Sequence, residues 1–256
     1  MCKFLYPLFI FLICSCLSAN EKKSFEEENS KKWQVKFEDK CTSTDWKDKW
    51  LLDGEKAKVT NSSDAMTIDT AKGYAVLWTK KEFSGDVKIE YDFKRDDDYF
   101  GQAVNIIYIQ ATGDEQKGYD KDITKWSGKR KTAAMSDYFL NMHTYHISYA
   151  AYNKKGKSSE YIRARRYLPL GNTRLGGTKM AGEYTMTGLF EDKKWVHVTI
   201  IKKDRDIFIE FKHPDKTLHC HFKNEDKDAI KEGRIGLRLM PKRLSHFKNF
   251  KVSQKD

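Results

Sequence analysis

Apolar and polar side chains alternate along much of this chain. Val87, Ile89, Tyr91 and Phe93 alternate with Lys88, Glu90, Asp92 and Lys94. A period of two sends the two sets to opposite faces of one half-buried strand. Val104–Gln110 and Trp195–Ile201 are more continuously apolar, which predicts central strands with Trp195 in the core. Ile207–Phe211, Leu218–Phe222, Ile235–Leu239 and Phe247–Val252 follow as a predicted meander. Gly, Asn, Asp and Lys turns separate these runs, and no long segment keeps a helical period. Thr112–Ser136 and Gly171–Gly188 read as long loops, the kind that border binding sites. Many short strands without crossover helices predict an all-β fold, an antiparallel two-sheet β-sandwich of the jelly-roll type.

Two segments stand out, His143–Tyr152 and Tyr161–Tyr167. The polar connector Asn153–Glu160, with Gly156, makes them a predicted hairpin. Tyr145, Ile147, Tyr149 and Ala151 share one face with Ile162, Ala164 and Arg166. His146, Ser148, Ala150 and Tyr152 share the other with Tyr161, Arg163, Arg165 and Tyr167. The predicted register pairs Tyr152 with Tyr161, Ala150 with Arg163 and Ser148 with Arg165, fixed by burial of the apolar face.

The polar face carries what an acidic carbohydrate needs. Elimination at a uronate requires a neutralised carboxylate, a base for the C5 proton and an acid for the leaving oxygen. Arg163 and Arg165 offer planar forks that match a carboxylate. His146 or a tyrosine is the candidate base, with Tyr152 or Tyr161 as the acid. Ser148 and Tyr167 add substrate contacts, and Trp126, in the first long loop with Lys125 and Lys129, is the candidate for sugar stacking. The bland alternative is a solvated outer face.

Composition bears on compartment and partner. Lys3, the apolar run Phe4–Ile13 and the small residue ending Leu17-Ser18-Ala19 predict a signal peptide over 1–19. Residues 20–32 read as a flexible tether, and 33–256 as one domain. Ile13-Cys14-Ser15-Cys16 also reads as a lipobox that would anchor the chain through a lipid on Cys16. Either reading exports the protein, to the periplasm or beyond. An oxidising compartment permits a disulfide between Cys41 and Cys220, the alternative being two separate buried thiols. The net charge of +11 suits an anionic polymer. Export argues against nucleic acid, and no later run could span a membrane. No cofactor is required. Asp96-Asp97-Asp98 leaves room for a structural calcium ion, although a turn with solvated acids explains it better. Glu90-Tyr91-Asp92 begins the Glu-x-Asp-x-x-Glu pattern of jelly-roll glycosidases, but Arg95 stands at the last position.

Tyr74–Trp78 (YAVLW), His146-Ile147-Ser148-Tyr149, Ile162-Arg163, Gly233-Arg234-Ile235-Gly236-Leu237-Arg238 and Phe247-Lys248-Asn249-Phe250-Lys251-Val252 carry a resemblance. From about Trp33 the body resembles the concanavalin A-like lectin and glucanase class. More narrowly, it resembles the YesU-like bacterial family, often encoded among genes for acidic plant polysaccharide breakdown. The resemblance brings no catalytic assignment. It implies an exported carbohydrate-active protein acting on an acidic polysaccharide or oligosaccharide, by lyase-type elimination. The alternatives are a non-catalytic carbohydrate-binding protein and a glycoside hydrolase of the same fold.

Overall fold

The computed structural model describes residues 19–42, 45–101, 103–153, 155–169 and 175–255, with the backbone alone at 127–129. Its strands form two antiparallel sheets. The eight-stranded sheet runs β13 (Lys216–Phe222), β12 (Asp206–His213), β11 (Trp195–Lys203), β6 (Val87–Arg95), β15 (Leu244–Gln254), β4 (Met66–Asp69) and β3 (Lys58–Asn61), with β1 (Gln34–Asp39) also paired to β15. The seven-stranded sheet runs β10 (Lys179–Thr185), β9 (Tyr161–Tyr167), β8 (Met142–Ala151), β7 (Asn105–Gly113), β14 (Glu232–Leu239), β5 (Ala75–Ser84) and β2 (Trp50–Asp53).

The alternation in β6 does what it predicts. Val87, Ile89, Tyr91 and Phe93 are buried between the sheets, and the residues between them are half-buried. Phe93 meets Tyr149 of the opposite sheet edge-on at 5.0 Å, and Tyr91 stacks on Phe250 at 5.6 Å. Each large apolar side chain buried this way contributes about 1.5–3 kcal/mol. The two-sheet sandwich of the sequence reading is therefore the observed fold.

The predicted meander holds over β11, β12 and β13 and then breaks. β14 crosses to the seven-stranded sheet, between β7 and β5, and β15 returns to the first. The reason is that β14 is buried on both faces, which suits the middle of a covered sheet. Gly236 helps to fix that position. A Cβ there would lie 2.5 Å from the Trp78 ring, so only glycine lets the indole lie across the strand.

Residues 20–32, expected to be a tether, are mostly helical. A helix over 19–29 (α1) docks on the outer face of the eight-stranded sheet. Phe25 is buried against Ile201 and Phe208. Glu28 is buried too, with Lys31 at 2.5 Å, Lys203 at 2.6 Å and Lys255 at 3.5 Å. One phenyl ring and one acid that meets three lysines dock an otherwise polar helix. Residues 1–18 of the predicted leader, with the Cys16 lipobox, lie outside the described residues.

Cys41 and Cys220 are free, buried thiols, which corrects the disulfide expectation. Cys41 follows β1 and Cys220 lies in β13, with β12, β11, β6 and β15 between them. Five inter-strand steps of about 4.8 Å separate them by roughly 24 Å. A disulfide needs Cα atoms within about 7 Å.

Candidate functional site

Strands β8 and β9 form the predicted hairpin, in a register that differs by two residues. Ser148 pairs with Arg163, and His146 with Arg165. A two-residue shift keeps every side chain on its face, so His146, Ser148, Arg163, Arg165 and Tyr167 share the outer face of the seven-stranded sheet.

A bulge then removes Tyr152 from this set. The register shifts between Ser148 and Ala151, and Ala150 has φ +43. Arg243 donates to the Ala150 carbonyl and clamps the distortion. The extra residue inverts the alternation, as bulges do. Ala151, not Tyr152, pairs with Tyr161. Tyr152 instead meets Phe100 at 5.1 Å and donates to the Phe190 carbonyl at 3.3 Å. Its candidacy as an acid on the Tyr161 face is therefore corrected.

His146 is assembled with phenol and hydroxyl partners, but inside the protein. Its Nδ1 lies 2.5 Å from the Tyr167 hydroxyl and its Nε2 lies 2.6 Å from Ser148 Oγ. His146 is 2% exposed, Tyr167 0% and Ser148 5%. Burial, then the guanidinium groups of Arg165, Arg238 and Arg163, push the imidazole pKa well below its usual value. Burial likewise raises the Tyr167 phenol well above its usual value. The ring is thus neutral, one nitrogen donating and the other accepting. With both nitrogens bonded, it holds Ser148 and Tyr167 in place and offers no free base to a ligand.

The open part of the face lies over β8, β9 and β10. Arg163 forks onto Glu183 with both Nε, at 2.8 Å, and Nη2, and its guanidinium lies 4.6 Å from the Tyr161 ring centre. Lys179 reaches the same carboxylate at 2.6 Å. Burial opposes ionisation of Glu183, but Lys179 and Arg163 outweigh it and hold the carboxyl below its usual range. Among the described residues, half-buried Arg165 donates to the Leu175 carbonyl and Thr178 Oγ1, each at 3.1 Å. Burial and neighbouring Arg163 both disfavour its charge. Two of these three cations pair with the one carboxylate, and Arg165 does not. Sequence reasoning missed Glu183, because β10 lay within a predicted loop. Its signal was the alternation of Met180, Gly182 and Tyr184 with Lys179, Ala181 and Glu183.

The other half of the face is closed. Residues expected to form an open loop fold into 3-10 turns over Glu115–Lys117 and Ile123–Lys129 and a short helix, α2 (Met135–Phe139). They bury Ile123, Trp126 and Tyr138 against Trp78, Tyr108 and Tyr167. Trp126 is 3% exposed and donates through Nε1 to the Asp120 carbonyl at 2.7 Å, which corrects its role as a sugar-stacking ring. Beneath this cover, Asp53 accepts from Trp78 Nε1 at 2.6 Å and the Tyr138 hydroxyl at 3.2 Å, with Arg130 Nη1 at 3.2 Å. Burial pushes the Asp53 carboxyl pKa up despite Arg130.

Neither the calcium expectation nor the glycosidase pattern finds its donor set. Asp96 pairs with His246 at 3.0 Å, and Asp97 accepts from Arg243 at 2.8 Å and the Leu244 amide at 3.2 Å. These carboxylates face cations and amides separately and do not converge. Among the described residues no three metal-ligating side chains gather. Asp92 lies on the outer face of the other sheet, bonded to His197 at 2.7 Å and Asn249 at 2.6 Å, and Arg95 is fully buried.

No family model matches the sequence, and no curated protein matches it. Solved structures do. A protein of unknown function with a galectin-like fold from Bacillus subtilis superposes with TM-score 0.67 and 14% identity, over 88% of this chain and 100% of the other. Lectin I-B4 from Griffonia simplicifolia, in a metal-free form, gives TM-score 0.57 and 12% identity over 87% and 100%. The exoplasmic domain of VIP36, bound to Ca2+ and Man3GlcNAc, gives 0.57 and 10% over 88% and 91%. At these identities the likeness is one of fold. The chain adopts the galectin and legume-lectin-like, concanavalin A-like β-sandwich.

Proposed function

We propose that this chain is a carbohydrate-binding protein. Its site is the open half of the outer face over β8, β9 and β10, and its ligand is an acidic polysaccharide or oligosaccharide. The observation that carries the reading is Arg165. This half-buried guanidinium beside Arg163 and Tyr161 has no ion-pair partner among the described residues. A uronate carboxylate would supply the missing charge, and the Tyr161 ring an apolar surface for the sugar. The fold, shared with sugar-binding lectins, supports the same reading. Export, with or without a lipid on Cys16, and kinship with the YesU-like family complete it, supported by the leader pattern and the quoted motifs. Among the described residues no helix is long and apolar enough to cross a membrane.

Titration of the full chain with a uronate hexasaccharide and a neutral hexasaccharide tests the proposal. Binding should favour the uronate and weaken with salt. Equal affinity for both, indifferent to salt, would overturn it.

Elimination is the second reading, favoured by one observation, the His146–Tyr167 contact at 2.5 Å beside three guanidinium groups. Against it stand the burial of both groups and the occupied imidazole nitrogens. Ultraviolet absorbance from an unsaturated uronate decides between the two. If product appears, His146→Ala should abolish it while the polymer is still retained. A wild type that retains polymer without product leaves the binding reading alone.

A further inference from the structure

We propose that a depression around Trp195, on the outer face of the eight-stranded sheet, is a second glycan site for a sugar bearing carboxylate or sulfate groups. It goes beyond the site on β8, β9 and β10 and does not depend on it. The depression measures about 660 Å3, which is roomy enough for a sugar unit. Trp195, expected in the core, lines it half-exposed. Val196 and Val198 point inward, so alternation along β11 sends Trp195 outward.

The charge around the indole gives the ligand class. Lys94 and Lys248 place their ammonium groups 5.0 and 4.3 Å from the ring centre, and Lys212 lines the same depression. None of the three lysines forms an ion pair among the described residues. An anion would draw these flexible ammonium groups towards it and free a face of the indole for the ring of the sugar. Asp92 adds an acceptor. His197 and Asn249 hold its carboxylate at the rim, where it accepts hydrogen bonds. A hydroxyl of the sugar can donate to that carboxylate while the anionic group meets the lysines. Cations, an indole and one anchored acceptor together fit an anionic glycan.

Calorimetric titration of the full chain with sulfated, uronate and neutral hexasaccharides tests this. Wild type should bind an anionic hexasaccharide at two sites. Trp195→Ala and the double variant Lys94→Gln/Lys248→Gln, both surface changes, should each weaken one site by about tenfold or more, the scale of an aromatic or charged contact. Arg165→Ala should leave that site intact and weaken the other. The sulfated and uronate arms identify the anionic group. Loss of binding in Trp195→Ala with none in Arg165→Ala would uphold the second site and overturn the first. Trp195→Ala with wild-type affinity and stoichiometry for every sugar would overturn this proposal. So would a wild type that binds none of the three, or a lysine variant that binds anionic sugars unchanged.

Discussion

The outer face of the seven-stranded sheet has two halves built by one rule of alternation. Over β5, β14 and β7 the outward residues are Trp78, Arg238 and Tyr108, dry beneath residues 114–139. Over β8, β9 and β10 they include Tyr161, Arg163, Arg165 and Glu183, wet and charged. His146 sits at the seam, 5.7 Å from the Tyr108 ring on one side and bonded to Ser148 on the other. Alternation decides which residues share a face. What covers the face decides whether they become a core or a site.

Removing the carboxylate under the cover should do the most damage. Asp53→Ala strands Arg130, the Trp78 N–H and the Tyr138 hydroxyl, and breaking such a buried pair costs about 3–5 kcal/mol. The urea midpoint should fall accordingly, and an unchanged midpoint would mean that the closed half is not held by Asp53. On the open half, Arg165→Ala should leave stability nearer to wild type yet weaken uronate binding by about 1.5–3 kcal/mol, the range for charge-assisted hydrogen bonds.

His146 at the seam and His197 on the other sheet give a pH test with opposite signs. His146 is held neutral when folded, while the unfolded chain takes up a proton below about pH 6.5. Acidification below that value therefore favours unfolding, by at most about 1.4 kcal/mol per pH unit. His146→Gln should flatten this fall in stability between pH 7 and 5. His197 behaves oppositely, because its hydrogen bond to Asp92 raises its pKa. Its contribution is full below the unfolded value and fades as pH rises through the folded one, so His197→Gln should steepen the acid-side fall. Equal slopes in both variants would contradict the difference in their surroundings. The smallest effect belongs to the fringe of the cover. Lys121 and Glu232 are half exposed, and Lys121→Ala should leave the urea midpoint at the wild-type value.

These contrasts mark what could be read from the residues alone. The strand pattern of β6 and the two-faced hairpin were legible because burial enforces a period of two over short distances. The hairpin faces even survive a register displaced by two. Tyr152 was not legible, because the bulge that turns it is clamped by Arg243, which lies 93 residues away. Trp126 looked like a loop residue because nothing local shows that its loop folds back onto Trp78. The docking of α1 was hidden for the same reason, since the partners of Glu28 include Lys203 and Lys255. Trp195 was misplaced for a different one. Its neighbours Val196 and Val198 suggested a buried run, whereas strict alternation would have turned the indole outward.

The two distant thiols have a consequence for kinetics. Burial pushes the pKa of both well up, so in the folded protein neither is a ready nucleophile. Each can be alkylated only when its own edge of the eight-stranded sheet opens. Cys41 then reports the opening beside β1, and Cys220 the opening at β13, where α1 docks nearby. With labelled peptides separated by mass, the two alkylation rates would time the fraying of opposite ends of one sheet without any introduced probe.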